Sequence, residues 1–170
     1  MAVDRAEPST TASEREMLDG WLDYHRATLE MKCEGLTAAQ LRTHSVPPSN
    51  LTLLGLLRHM AEVERFWFRN ILRDERVPEL FCTDADRDGD FNDLEGAEPA
   101  DVLSTLHEEC RHARDVSRGL SLDDISEGRT RQTGERFSLR WIITHMIEEY
   151  ARHNGHADLI REAIDGATGD

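Results

Sequence analysis

The fold is decided near the C-terminus by the stretch SLRWIITHMIEEYARHNGHADLIREAI, residues 138–164. Apolar residues recur in it every three or four positions, which is the spacing of one face of an α-helix. They are Leu139, Ile142, Ile143, Met146, Tyr150, Ala157, Ile160 and Ile164. Ser138 stands just before them and is a favourable N-cap. The pattern therefore predicts a helix over about 138–164 with one side in a core.

Three earlier segments show the same periodicity, and they predict helices over about 13–34, 51–73 and 100–118. No convincing strand pattern lies between them. Four amphipathic helices indicate an all-α four-helix bundle. The 170 residues suit one domain, 1–170, in which residues 1–12 are expected to be a flexible segment. The linker 74–99 is longer than a tight turn needs, so it could cross the bundle and leave helices two and three parallel.

Composition excludes several classes of function. The net charge of −14 would repel nucleic acid phosphates and anionic lipid surfaces, so we expect no nucleic acid and no membrane partner. The N-terminus lacks the apolar stretch of a secretory signal, which predicts a cytoplasmic protein. The three cysteines are widely spaced and form no CxxC pattern, so free thiols are expected.

Residues His145, Glu149 and His153 follow one another at steps of four on the fourth helix. On a helical wheel, His153 falls near the centre of the apolar face and Glu149 falls on its flank. A buried carboxylate is costly unless a cation or a strong hydrogen-bond donor compensates it. His59 lies on the flank of the apolar face of helix two, where a third ligand belongs. The pattern indicates a divalent metal held by His59, Glu149 and His153.

Other interpretations of these residues stay open. His153 could be a hydrogen-bonded packing residue, and Glu149 could pair with an arginine. His25 competes with His59 as the third ligand. His145 and His156 lie further toward the polar side, where hydrogen bonding to a ligand or plain exposure is expected. Arg58 and Arg152 are near the ligands in sequence but are expected to face outward.

Two further metal motifs receive less support. A di-iron site needs two Glu-x-x-His pairs, and only Glu109 and His112 provide one. The linker segment DADRDGDFNDLE, residues 84–95, matches the twelve-position EF-hand pattern. Pro78 before it and Pro99 after it argue against the two helices that an EF-hand requires. A solvated acidic loop is the simpler interpretation, and calcium binding is left open.

The stretches LLRHMAEVERFW, residues 56–67, and 138–158 resemble the DinB/YfiT-like superfamily, in particular its actinobacterial branch of mini-circle-type proteins and mycothiol-dependent enzymes. The resemblance implies an up-down-down-up four-helix bundle with a divalent metal held by one residue of helix two and two of helix four. The matching positions here are His59, Glu149 and His153. Most members have three histidines, so Glu149 departs from that pattern. It is similar to the His, Glu, His set of mycothiol-dependent maleylpyruvate isomerase.

From this resemblance we expect a metal-dependent S-transferase in which mycothiol attacks a small electrophile. A coordinating thiol is deprotonated by its metal, which activates the sulfur. Zinc is the expected metal, with nickel as the alternative. The alternative function is a non-catalytic stress-response bundle that binds a metal or a small molecule. The sequence identifies neither catalytic nor thiol-gripping residues, and it leaves a homodimer open.

Overall fold

The computed structural model describes residues 3–169, in which the regular structure is helical. The helices are α1 (Glu14–Cys33), α2 (Ala38–Leu41), α3 (Leu53–Glu64), α4 (Pro99–Ser117) and α5 (Leu139–Asp165). α3 continues directly into a π-helical segment, Arg65–Leu72. The all-α prediction is confirmed, with no β-strand in residues 3–169. The short α2 and the π-helical segment were not predicted.

Local signals fix the starts of the long helices. Ser13 and Glu16 form a capping box at the start of α1. The Ser138 side chain accepts a hydrogen bond from the Trp141 backbone and begins α5, and Thr52 caps α3 in the same way. Within residues 3–169, none of these helices combines the length and the apolar character that crossing a membrane requires.

Side-chain contacts give the directions of the four long helices. Between α1 and α5, and between α3 and α4, the contacting positions advance together, so each of these pairs is parallel. Between α3 and α5, and between α1 and α4, they advance in opposite directions. The contacts of α1 with α5 are Glu14–Arg140 and His25–Asn154, and those of α1 with α4 are Asp23–Arg114 and Glu30–His107. The continuation of α3 contacts α4 through Arg65–Glu109 and Arg73–Val116. α3 and its continuation contact α5 through His59–His153 and Trp67–Trp141. These directions agree with the up-down-down-up order, and the long connection joins the parallel pair.

The N-terminal residues before α1 lie along the bundle. The Val3 backbone donates to the Glu34 carboxylate, and Arg5 donates to Thr28 while its guanidinium lies over the Tyr24 ring. Met1 and Ala2 of the expected flexible segment lie outside the described residues.

A charged cluster crosses the centre of the bundle, with one residue from each long helix. We call Arg26, Glu64, Cys110 and Tyr150 the central quartet. Arg26 donates two hydrogen bonds of 2.7 Å to Glu64, and the Tyr150 hydroxyl donates a third of 2.9 Å. The Cys110 thiol lies 3.6 Å from the same carboxylate. Glu64 is fully buried and is compensated entirely by these neighbours.

Candidate metal centre

Three side chains from two facing helices meet at one point. His59 lies on α3, and Glu149 and His153 lie one turn apart on α5. Each offers a ligand atom, and all three atoms lie within 4.8 Å of one another. We call these residues the His–Glu–His cluster. Their side chains are only 23%, 17% and 11% exposed, so the cluster is shielded from water and still reachable from outside.

Asp90 fixes the orientation of His59. Its carboxylate lies 2.6 Å from His59 Nδ1, and it is itself buried. A carboxylate only accepts, so Nδ1 is the donor and carries the proton. The lone pair of the neutral ring is then on Nε2. A carboxylate behind an imidazole is the usual partner of a metal-binding histidine, because it holds the ring and raises its basicity.

The loop that carries Asp90 is fastened to α3. Arg58 donates to the Gly89 and Asn92 carbonyls at 2.8 and 3.0 Å, and the Glu62 carboxylate accepts from the Leu80 and Phe81 amides. The expectation that Arg58 faces outward was therefore wrong: it is buried under the loop. A helical wheel of α3 contains no information about a loop that folds back over it.

His153 is suited to bind a cation because it stays neutral. Burial lowers the pKa of His153 from 6.5 to about 4, and the charge of Arg152, together with the charges that His59 and His156 carry when protonated, lowers it further. At neutral pH the ring therefore keeps a free lone pair and cannot supply the positive charge that Glu149 lacks.

Glu149 is the reason to expect a cation here. Its carboxylate lies 3.6 Å from His153 Nε2 and 3.5 Å from His145 Nε2, and within residues 3–169 it makes no closer polar contact with a side chain. A shielded carboxylate among imidazoles has an uncompensated charge, which a divalent cation would neutralise. Two imidazoles and one carboxylate are also a known donor set for catalytic zinc. The residues present therefore fit a divalent metal.

The two further histidines of α5 lie beside the cluster. His145 contacts Glu149 and forms with Glu148 and Glu149 a second group of convergent ligand atoms. The Nδ1 atoms of His156 and His153 are 3.3 Å apart. Both histidines therefore contact predicted ligands directly. Arg152 is exposed, as expected, and pairs with Glu148.

The other residues that the sequence offered as metal ligands do not join the His–Glu–His cluster. Asn154 donates to the His25 carbonyl, and His25 contributes to neither group of convergent ligand atoms in residues 3–169. Glu109 is buried and paired with Arg65 and Arg69. The single Glu-x-x-His pair is thus part of the α3–α4 contact, and no di-iron arrangement forms there.

The acidic loop is not arranged as an EF-hand in the described chain. The helices nearest to residues 84–95 end at Leu72 and begin at Pro99. The Asp86 carboxylate, at position 3 of the pattern, accepts hydrogen bonds from the amide of Asn92, at position 9. Gly89 fits the EF-hand pattern, but packing explains why a glycine stands at this position, because a Cβ would collide with the Phe81 carbonyl.

Asp90 is the functional residue that sequence reasoning missed. The available signal was Phe91, the one aromatic residue in the acidic run 84–101, because an apolar side chain in a charged loop indicates packing. Phe91 stacks on His59 with ring centroids 5.1 Å apart. Gly55 of α3 makes room for it.

Two cavities of about 250 and 570 Å³ lie between α1 and α4, on the side of the bundle away from the His–Glu–His cluster. Arg26 lines both of them, and its guanidinium is already bound to Glu64. The cavities therefore do not extend the candidate centre.

Comparison with known proteins adds a family and a fold. A family model described as mycothiol S-transferase matches residues 17–166. No curated protein matches the chain. A conserved protein from Enterococcus faecalis is similar in structure, with a TM-score of 0.65, 14% identity, and coverage of 92% of this chain and 100% of that one. YfiT from Bacillus subtilis, described as a probable metal-dependent hydrolase with an unusual four-helix bundle topology, has a TM-score of 0.56, 19% identity, and coverage of 95% and 91%.

Proposed function

Because the chain belongs to the mycothiol S-transferase family, a DinB-like family, we propose that it is a metal-dependent S-transferase. Its thiol substrate is mycothiol, and its second substrate is a small electrophile. His59, Glu149 and His153 hold the metal. The observation that carries the proposal is the shielded Glu149 carboxylate, which lies against two imidazoles and contacts no arginine or lysine within residues 3–169.

The chain's own thiols support an external nucleophile. Burial raises the pKa of Cys82 to about 11 and the pKa of Cys33 and of Cys110 to about 12. All three are therefore protonated at neutral pH, and a protonated thiol is a poor nucleophile. This supports a small-molecule thiol as the source of the reactive sulfur.

The residues of the cluster prepare one open position. Asp90 accepts a hydrogen bond from His59 Nδ1, which leaves Nε2 of that ring to bind a metal, and burial keeps His153 neutral. His59, Glu149 and His153 would hold the metal, and three protein ligands would leave it able to bind a thiol. A divalent cation held by His59, Glu149 and His153 would supply the positive charge that keeps a coordinated thiol deprotonated near neutral pH. Glu149 contributes one negative charge, which makes the centre less electrophilic than three imidazoles would.

The choice of zinc, with nickel as the alternative, rests on the donor set. Nitrogen ligands with one carboxylate suit zinc, while calcium and magnesium prefer oxygen ligands alone. Imidazole also suits nickel.

Product analysis tests the proposed function. Metal-loaded protein is incubated with mycothiol and monochlorobimane, and the thioether conjugate is measured by mass spectrometry. We expect conjugate above the uncatalysed level, and none above it with His153→Ala. Absence of turnover with several electrophiles, at full metal occupancy, would contradict S-transfer and favour a non-catalytic binding protein.

A further inference from the structure

An aromatic surface lies beside the candidate centre. Phe66 and Trp67 come from the π-helical segment, Phe137 precedes α5, and Trp141 is on the first turn of α5. Trp67 is in the middle, with ring centroids 5.2, 5.2 and 5.1 Å from those of Phe66, Phe137 and Trp141. We call these four residues the aromatic wall.

Only part of the aromatic wall is buried in the core. Trp67 is buried, but Trp141 and Phe66 are 43% and 38% exposed. Two large aromatic side chains that pack on the same tryptophan and are both partly exposed indicate a surface that contacts a ligand or a partner. The π-helical segment supplies both Phe66 and Trp67, and π-helical turns are frequent at functional sites.

His145 connects the wall to the cluster. Its ring stacks on Trp141 with centroids 4.9 Å apart and planes 20° apart. Its Nε2 atom is 3.5 Å from Glu149 Oε1. Trp141 and Glu149 are eight residues apart on one helix, or about 12 Å along its axis.

The same continuity holds on the facing helix. His59 and Phe66 are seven residues apart on one side of α3 and the segment that continues it. Because α3 and α5 are antiparallel, His59 faces His153 at one end and Trp67 contacts Trp141 at the other. The wall and the cluster are therefore two ends of one surface between α3 and α5.

We propose that the aromatic wall binds the electrophile, and that the preferred electrophiles carry a planar aromatic ring. This inference rests on the proposed S-transfer. A ring that contacts Trp141 and extends along α5 past His145 covers part of the two helical turns between Trp141 and Glu149, and its His145 end lies about one turn from Glu149. A reactive carbon at that end of the ring would be directed toward the cluster. An electron-poor ring suits contact with the 43% of the Trp141 side chain that is exposed, because its π system is complementary to that of the indole.

Chlorodinitrobenzene is a suitable reactive probe. The mycothiol sulfur forms a bond to the ring carbon that carries chlorine, and the carbon–chlorine bond breaks. Chloride leaves with the bonding electron pair, and the thiol proton goes to solvent. The reaction needs no oxidant or reductant. Iodoacetamide, which loses iodide in the same way but has no ring, is the matched aliphatic electrophile.

Binding is measured first, with unreactive dinitrobenzene and the zinc-loaded protein in equilibrium dialysis. We expect Trp141→Leu to weaken binding roughly fivefold, the effect of losing one aromatic pair, and Trp141→Phe to restore most of it. Trp21→Leu removes a tryptophan of similar exposure on α1 and should change nothing. Equal affinity of wild type and Trp141→Leu would overturn the proposal.

Kinetics then separate this inference from the proposed function. Trp141→Leu should lower kcat/KM roughly fivefold for chlorodinitrobenzene and leave that for iodoacetamide unchanged. Equal losses with both electrophiles would overturn the wall as an electrophile site while leaving S-transfer intact. Tryptophan-dependent dinitrobenzene binding without any turnover would support the wall and contradict S-transfer. A dimer that Trp141→Leu dissociates would show that the wall contacts a second copy, and would overturn the proposal.

Discussion

The central quartet and the His–Glu–His cluster both join α3 to α5 and both contain a shielded carboxylate, but only one of them is complete. Glu64 receives hydrogen bonds from Arg26 and Tyr150 and is charge-balanced by the guanidinium. Glu149, adjacent to Tyr150 in sequence, lies against the imidazoles of His145 and His153, and burial keeps His153 neutral at neutral pH. A polar cluster whose charges are paired stabilises the helix arrangement, whereas the His–Glu–His cluster has the donor set that the proposed metal requires.

The largest expected effect is the loss of the quartet's carboxylate. Glu64→Ala leaves the buried Arg26 guanidinium with the half-exposed Asp23 carboxylate as its remaining acidic partner, which should lower the free energy of unfolding by about 3 kcal/mol. Urea denaturation of the metal-free protein measures this. The double variant Arg26→Met with Glu64→Leu removes both charges and should recover most of the loss. A loss below about 1 kcal/mol for Glu64→Ala would show that the quartet does not stabilise the bundle.

The next largest effect is expected when the residue that orients His59 in the His–Glu–His cluster is changed. Asp90→Ala removes the carboxylate behind His59, so zinc affinity should fall roughly 10- to 100-fold. Competition with a chromophoric chelator gives the affinity. Asp84→Ala removes an exposed carboxylate of the same loop and serves as the matched control. Equal affinities of the two variants would contradict the role of Asp90. Stabilisation of wild type by calcium that Asp84→Ala abolishes would instead support a calcium loop.

The pH dependence of stability follows from His153. Its folded-state pKa of about 4 is lower than the ordinary 6.5, so the unfolded chain binds the proton more tightly. The contribution to stability is complete above pH 6.5 and is lost as the pH falls toward 4. Chelator-treated wild type should lose stability over this range, and His153→Gln should lose less. If the melting temperatures of wild type and His153→Gln change equally with pH, a buried, neutral His153 is contradicted.

The smallest effect is expected from the tyrosine next to Glu149. Tyr150→Phe removes one hydrogen bond to Glu64 and should cost about 1 kcal/mol of stability. It should leave zinc affinity unchanged, because the hydroxyl belongs to the quartet. A change in zinc affinity, measured with the same chelator, would show that the two clusters are coupled.

The sequence predicted the helices well because the apolar residues of each long helix recur every three or four positions. The loop contacts could not be predicted in this way. Arg58 lies on the polar side of α3, and only the folded loop turns it into a buried donor. Asp90 meets His59 from 31 positions away, and no spacing rule relates the two. The π-helical segment also has no periodic signature of its own.

The candidate centre could be predicted to the extent that helical spacing controls it. Glu149 and His153 share a helix face, and His59 is on the apolar flank of a neighbouring helix, so their meeting follows from bundle packing. Their role as metal ligands stays a prediction. The aromatic wall could not be foreseen, because Trp141 and Phe66 have the apolar character of core residues and their exposure is a property of the fold.

Elemental analysis of the purified protein tests the open cluster most directly. Wild type, His153→Ala and Tyr150→Phe are loaded with zinc, passed through gel filtration and analysed by inductively coupled plasma mass spectrometry. We predict stoichiometric zinc in wild type and Tyr150→Phe and none in folded His153→Ala. Full zinc retention by His153→Ala would contradict the assignment of His59, Glu149 and His153 as the metal centre.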